Sequence, residues 1–265
     1  MTLQSALTFL YHDVTEPDRF SETGFQGPLA DTYKLSTSDF LAHLDAIAAV
    51  RSDAPILIDA ASLSAARTPW LLTFDDGGIT ALEPIASSLE QRGWRGHFFI
   101  TTGRTGTPGF LSQDQVRTLR DRGHCIGAHS VTHPARMADL DDASMLREWK
   151  DSRDALESML SAPVRVGSVP GGLYSDRVAS AAAKAGLDIL FNSEPTRGIR
   201  TQHGCTIVGR YSFKTSSTTR HAAQLAAEDA RMLVGQWCAW NAKSAVKRIS
   251  PRGFRALRRL LTGRD

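Results

Sequence analysis

The chain has 265 residues, 42% of them hydrophobic, enough for one large core; with no apolar run near the roughly 18 to 20 residues that cross a bilayer, and no basic start or small-residue cleavage site at the N-terminus, a cytoplasmic protein is expected. Three cysteines, Cys125, Cys205 and Cys238, are too few and too scattered for a disulfide framework or a thiolate zinc site and are expected in the core. The net charge of +3 is unevenly placed: from Lys243 onward eight basic side chains face only Asp265, so the tail carries +7 and the preceding residues −4.

In chain order, short apolar or β-branched runs read as strands at Leu7 to Tyr11, Pro55 to Ile58, Trp70 to Phe74, Gly96 to Ile100, Cys125 to Ala128, Val164 to Ser168, Asp188 to Phe191 and Thr206 to Val208. Between them lie helix-compatible segments at 39–50, 79–92, 112–122, 141–161 and 175–185. Ser38-Asp39, Ser112 with Gln115 and Ser175-Asp176 supply start signals, and Gly93, Gly123 and Gly186 supply stops. This alternation is the pattern of an α/β fold with a parallel sheet, whose loops at the carboxyl edge of the strands carry the chemistry. His12, Asp75-Asp76, His129 with His133, and Pro170-Gly171-Gly172 each follow a strand and so fall on one rim.

Asp76, His129 and His133 together offer a carboxylate and two imidazoles, enough for a catalytic metal that keeps positions open for water and substrate. The neighbouring Asp75 stays free to take a proton. Asp-Asp-Gly-Gly alone is often a turn, and histidines four apart are often surface neighbours; both motifs at strand ends in one chain favour a site. Two histidines and a carboxylate suit zinc, with Co2+, Ni2+ or Fe2+ as further options. The same set is the facial triad of non-haem iron oxygenases, a different-class alternative with no need for Asp75.

Thr73-Phe74-Asp75-Asp76-Gly77 and His129-Ser130-Val131-Thr132-His133-Pro134 resemble, in this order, the first two motifs of the polysaccharide deacetylases, the NodB-homology enzymes of carbohydrate esterase family 4. The resemblance implies a distorted (β/α)7-type barrel over residues 1–215, with 216–265 as a helical basic tail that is not an independent domain. It implies removal of N-acetyl groups from an N-acetylated sugar or polysaccharide precursor, with Asp75 as base and Asp76, His129 and His133 as metal ligands. Val169-Pro170-Gly171-Gly172 resembles the third motif, a groove wall in which Gly171 offers a backbone N–H to the oxyanion. The family arginine two residues before that proline is Ser168 here, and Arg165 and Arg210 are the candidates to replace it. The late Leu-x-His motif is missing near the C-terminus. Members with circularly permuted motif order carry their general-acid histidine in a segment like Leu7-Thr8-Phe9-Leu10-Tyr11-His12-Asp13, which makes His12 the candidate. An amidase acting outside carbohydrates and a non-catalytic carbohydrate-binding relative are the alternatives.

In the tail, Ser250-Pro251 reads as a helix start. Phe254, Leu257, Leu260 and Leu261 share a face, with Arg252, Arg255, Arg258 and Arg259 around them. Such a helix either lies on an anionic membrane, with Trp237 and Trp240 at the interface, or packs on its own domain. The first option expects the enzyme at the inner face of the membrane, beside synthesis of cell-surface polysaccharide. Nucleic-acid binding is not expected, because the body is net acidic and no recognition motif accompanies the tail.

Overall fold

Seven of the eight expected strands form where the apolar runs lie, and their alternation sorts side chains into two cores. The computed structural model describes residues 5–58, 68–172 and 174–249. Strands β1 (Leu7–Tyr11), β2 (Trp70–Phe74), β3 (His97–Ile100), β4 (Cys125–Ala128), β5 (Val166–Ser168), β6 (Ile189–Phe191), β7 (Ile199–Gln202), β8 (Cys205–Val208) and β9 (Tyr211–Ser212) make one sheet in the order β7-β8-β6-β5-β4-β3-β2-β1-β9. All pairs are parallel except the β7–β8 hairpin. Leu71, Phe99, Val166, Phe191 and Val208 fill a small core with no helical contribution. Leu72, Phe74, Phe98 and Ile100 join the larger core shared with the helices, as a period of two requires.

The two ends of the sheet meet through one segment. β8 pairs with β6 through Thr206 to Val208, Gly209 and Arg210 turn the chain, and β9 pairs with β1 through Tyr211 and Ser212. The sheet therefore curls into a distorted seven-stranded α/β barrel, with β7 as an extra antiparallel edge. The bend needs a glycine for steric reasons: a Cβ at Gly209 would collide with the carbonyl oxygen of Glu194 and lie 2.8 Å from that of Thr196.

Helices α1 (Pro28–Asp31), α2 (Thr37–Val50), α3 (Ser87–Glu90), α4 (Gln113–Asp121), α5 (Asp142–Leu160), α6 (Asp176–Lys184), α7 (Thr219–Ala226) and α8 (Ala230–Ile249) complete the chain order. Ser112 and Gln115 form the expected capping box, and Ser175 caps α6, whereas α2 is capped by Ser36 in place of Ser38. The expected helix 79–92 is broken. Ile79–Ala81 and Leu82–Ala86 are short tight and wide turns, Glu83 leaves helical geometry, and only Ser87–Glu90 is α-helical. Pro84 is the cause, since proline pushes its predecessor out of the helical region. Pro55–Ile58 is not a strand either: Pro55 has no N–H to donate, and the contact with β2 reduces to Ile56 N–H donating to Trp70 O at 2.9 Å. β7 and its turn at His203-Gly204, both at positive φ, form a hairpin with β8 for which no apolar run gave a strand expectation. Cys205 is buried and Cys125 half-buried, but Cys238 is exposed on α8, contrary to the expectation of a core position.

α7 packs on α2, with Ala222, Leu225 and Ala226 in the same core as Phe40, Leu44 and Ile47. No helix among the described residues is long and apolar enough to cross a membrane. The expected helix of 250–261 lies outside the described residues.

Gly209→Ala is expected to lower stability by about 1–3 kcal/mol through overpacking at the bend. A denaturant titration compared with an alanine substitution at the unhindered Gly235 checks it; equal midpoints would show that the bend tolerates a side chain.

Candidate active site

Inward alternation on β2 carries Leu71, then Thr73, then Asp75 into the mouth of the barrel. The same alternation on the closing segment carries Val208, then Arg210. The two side chains meet there, both buried. Arg210 is fully buried, and its Nη1 and Nη2 donate to the two oxygens of Asp75 at 2.7 and 2.8 Å. Its remaining donors are also used: Nη2 to Ser168 Oγ at 2.8 Å, Nε to Asn192 O at 2.9 Å and Nη1 to Thr73 Oγ1 at 3.4 Å. All five N–H groups of the fork thus have acceptors. Ser168 Oγ in turn donates to Asp75 Oδ2 at 3.1 Å. Burial alone would raise the carboxyl of Asp75, but the Arg210 guanidinium, with His129 next, holds it well below the usual carboxylate range.

Arg210 therefore takes the place left by Ser168. Arg165 does not: it is exposed and faces Asp188 at 3.8 Å.

Asp76 sits beside Asp75 because its backbone adopts a φ of 78°, a region uncommon for a residue with a side chain. Its carboxylate points at both expected histidines, with Oδ1 3.3 Å from His129 Nε2 and 3.5 Å from His133 Nε2. One ligand atom from each of Asp76, His129 and His133 lies within 4.8 Å of the others. The tautomer of His129 follows from its second nitrogen: Nδ1 is 2.9 Å from Ser168 O, a carbonyl that can only accept, so Nδ1 carries a proton and Nε2 of the neutral ring offers its lone pair to the centre. Asp76 Oδ1 is buried without a hydrogen-bond partner. A buried carboxylate oxygen facing two imidazole nitrogens calls for a cation, and the donor set fits a divalent metal.

The two histidines differ in protonation preference. Burial, then the nearby His129, pushes His133 down to about 4, so its ring is neutral near pH 7. Burial would also lower His129, but Asp75 and Asp76 outweigh it and hold its pKa above the ordinary value while no cation is bound. The loop between the two histidines is turned by positive φ at Ser130 and His133. Glu148 of α5 fastens it, accepting from the Val131 and Thr132 amides at 2.9 Å each and from Thr132 Oγ1 at 2.7 Å. Sequence reasoning missed Glu148, which sits in an ordinary stretch of charged helix with no motif around it.

His12 leaves β1 alongside Asp75, since Tyr11 pairs with Phe74 and Asp75 N–H donates to Tyr11 O at 3.1 Å. Its ring lies 4.8 Å from that of Tyr33, and its buried Nδ1 has no hydrogen-bond partner. Asp13, next in sequence, is buried, and its Oδ1 accepts from Thr23 Oγ1 and Thr80 Oγ1 at 2.6 Å each. Pro170 is buried and Gly171, at φ 63°, is exposed on the rim after β5. His97 is satisfied in the core, accepting from Ile58 N–H at 3.1 Å on Nε2, with Nδ1 3.1 Å from Leu72 O. His43 and His124 are likewise buried.

Residues 64–190 match the sequence profile of the polysaccharide deacetylases. A protein of Bacillus subtilis provisionally named polysaccharide deacetylase YxkH is 25% identical over 132 residues, which is 50% of this chain and 47% of that one. The chain thus spans about half the length of this relative. Among solved structures, a Streptococcus pyogenes deacetylase in complex with acetate superposes with a TM-score of 0.68 at 18% identity, over 84% of this chain and 99% of its own. A polysaccharide deacetylase from Bacillus cereus gives 0.71 at 17% identity, over 84% and 69%. At such identities the structural matches speak for the fold. The profile match spans both the Asp75-Asp76 and the His129–His133 loops, so residues 64–190 are similar to the polysaccharide deacetylases and lie on a fold shared with these deacetylases.

Proposed function

We propose that this chain is a metal-dependent hydrolase that removes N-acetyl groups from a saccharide destined for cell-surface polysaccharide, with residues 1–215 as the catalytic unit. One observation carries the reading: three metal-ligand atoms converge beside a second buried carboxylate that an arginine holds ionised.

A divalent cation held by Asp76, His129 and His133, with zinc favoured by the donor set, supplies Lewis acidity toward water and an acyl oxygen. Asp75 is the base. Arg210 and Ser168 occupy three of the roughly four acceptor positions of its carboxylate, leaving one for a proton from water. The same contacts fix its orientation, at the cost of basicity, so the proton rests there only transiently. Gly171 lies on the rim after β5, where its N–H is the backbone donor for the developing oxyanion. His12, in its protonated form, delivers a proton to the departing sugar nitrogen, because an amide anion is a poor leaving group. Pro170 supports the groove wall.

Asp75→Asn is expected to keep bound metal but release acetate from N-acetylglucosamine oligomers about 10²- to 10⁴-fold more slowly. His129→Ala and His133→Ala are expected to lose metal first, which metal analysis after dialysis reads directly. Wild-type turnover by Asp75→Asn would remove it as the base. Release from simple non-sugar amides, with none from the oligomers, would favour the amidase alternative.

As general acid, His12 gives up a proton in each turnover, so His12→Ala is expected to release acetate about 10²- to 10⁴-fold more slowly while keeping bound metal. Wild-type turnover by His12→Ala would assign His12 a structural role.

The proposed location is the cytoplasmic face of a membrane, reached through the C-terminal segment. Val234 and Trp237 are exposed on α8, and the sequence from Lys243 onward carries +7, a combination suited to anionic lipid. Sedimentation with phosphatidylglycerol vesicles should carry the protein down and neutral phosphatidylcholine vesicles should not; equal behaviour with both would withdraw the location.

A further inference from the structure

The loop between β1 and α2 lays one aromatic ring against His133 of the metal-ligand cluster and another against His12. Phe25 stacks at a tilt on the metal-side histidine, His133, with ring centroids 4.6 Å apart. Tyr33 does the same to His12 at 4.8 Å. Each ring is half-buried and carries a cation: the Arg104 guanidinium lies 5.6 Å from the centroid of Phe25, and Lys214 Nζ lies 5.4 Å from that of Tyr33. The two cations come from different parts of the chain, the loop after β3 and the segment after β9, so the arrangement is not a local sequence effect.

The loop that presents these rings is fastened from within. The buried Asp13 ties Thr23 to Thr80, and a Cβ at either Gly24 or Gly78 would collide with its carboxylate. Lys34, also buried, donates to the carbonyls of Phe20 and Thr23 and pairs with Asp31 at 3.1 Å. Phe25, one residue from Gly24, and Tyr33, one residue from Lys34, are thereby held in place before any ligand arrives. Preorganised rings of this kind are suited to the apolar faces of sugar rings.

The charge over the Phe25 platform is positive. Arg104 has no carboxylate in ion-pair range among the described residues. By contrast Arg200, which covers Tyr174, is paired with Glu194 at 3.0 Å. Two acids of the loop are themselves engaged, Glu22 with Arg19 and Asp31 with Lys34. We propose that Phe25 with Arg104 and the ring of Tyr33 form two saccharide subsites beside the centre, and that Arg104 there meets an anionic group, carboxylate or phosphate, next to the N-acetyl sugar of an oligosaccharide substrate. This rests on the deacetylase reading and names its substrate class.

The test compares kcat/KM for acetate release by the metal-loaded enzyme on three oligomers of equal length. One is neutral N-acetylglucosamine, one alternates N-acetylglucosamine with glucuronate, and one is N-acetylglucosamine ending in a glycosyl phosphate. The anionic oligomers should be favoured about tenfold over the neutral one, and the preference should shrink several-fold between about 50 and about 500 mM salt. Which of the two is favoured separates carboxylate from phosphate. Arg104→Gln should reduce the anionic-to-neutral ratio about fivefold or more, with Arg104→Lys restoring part of it, and Phe25→Ala should raise KM more than it lowers kcat. A neutral oligomer cleaved as well as both anionic ones, or a ratio unmoved by Arg104→Gln, overturns the proposal while leaving the deacetylase reading intact. No acetate from any oligomer removes both.

Discussion

A guanidinium sealed from water and forked onto a single carboxylate organises the mouth of this barrel. Breaking such a pair from one side leaves an uncompensated buried charge, which costs about 3–5 kcal/mol. Arg210 and Asp75 escape that penalty because the surroundings complete them. Ser168 from β5, the Asn192 carbonyl just after β6 and Thr73 of β2 occupy the remaining donors. The guanidinium also lies over Phe99 and Phe191, 5.8 and 5.9 Å from their centroids, and so closes the top of the inner core. Four strands and the bend at Gly209 converge on one side chain. The pair therefore ties closure of the sheet to the orientation of the Asp75 carboxylate, and a loss of either is felt by the other.

The cluster of Asp76, His129 and His133 is built on the opposite principle. Asp76, Ser130 and His133 all sit at positive φ, conformations that cost of order 1–3 kcal/mol each when nothing local favours them. Their reward is convergence: without the turn at Asp76, two adjacent carboxylates at a strand end would face different ways. Glu148 and the Ser130 hydroxyl, which accepts from His133 N–H at 3.0 Å, hold the histidine loop against relaxation. A cation held there would give the unpartnered Asp76 oxygen a partner, so that cation and loop geometry would stabilise each other.

Much of this was legible in the amino-acid order, and the exceptions have physical causes. Strands with clear apolar runs, such as Trp70–Phe74 and Cys125–Ala128, appear with the expected bounds. Both motifs fall on one rim because strand ends place them there. Pro55–Ile58 has the composition of a strand but begins with a residue that cannot donate, and Pro84 interrupts an otherwise helical stretch; local propensity alone overrated both. β7 was hidden because its residues, Ile199–Gln202, are half-polar and gain order only by pairing with β8. Glu148 and Asp13 act through single contacts to distant loops, which leave no trace in periodicity or spacing.

The exchange at Ser168 shows why the supporting arginine could be expected but not chosen from sequence. Position 168 points inward and is fully buried against Asp75. A long cationic side chain there would occupy the volume that Arg210 fills from the other side of the barrel. Serine is small enough to leave that space and polar enough to bond both the guanidinium and the carboxylate across it. Arg210 in turn reaches Asp75 only because Gly209 allows the chain to turn between β8 and β9. Two residues 42 positions apart thus depend on each other through the closure of the sheet, and a serine in the motif is intelligible only together with an arginine at the bend.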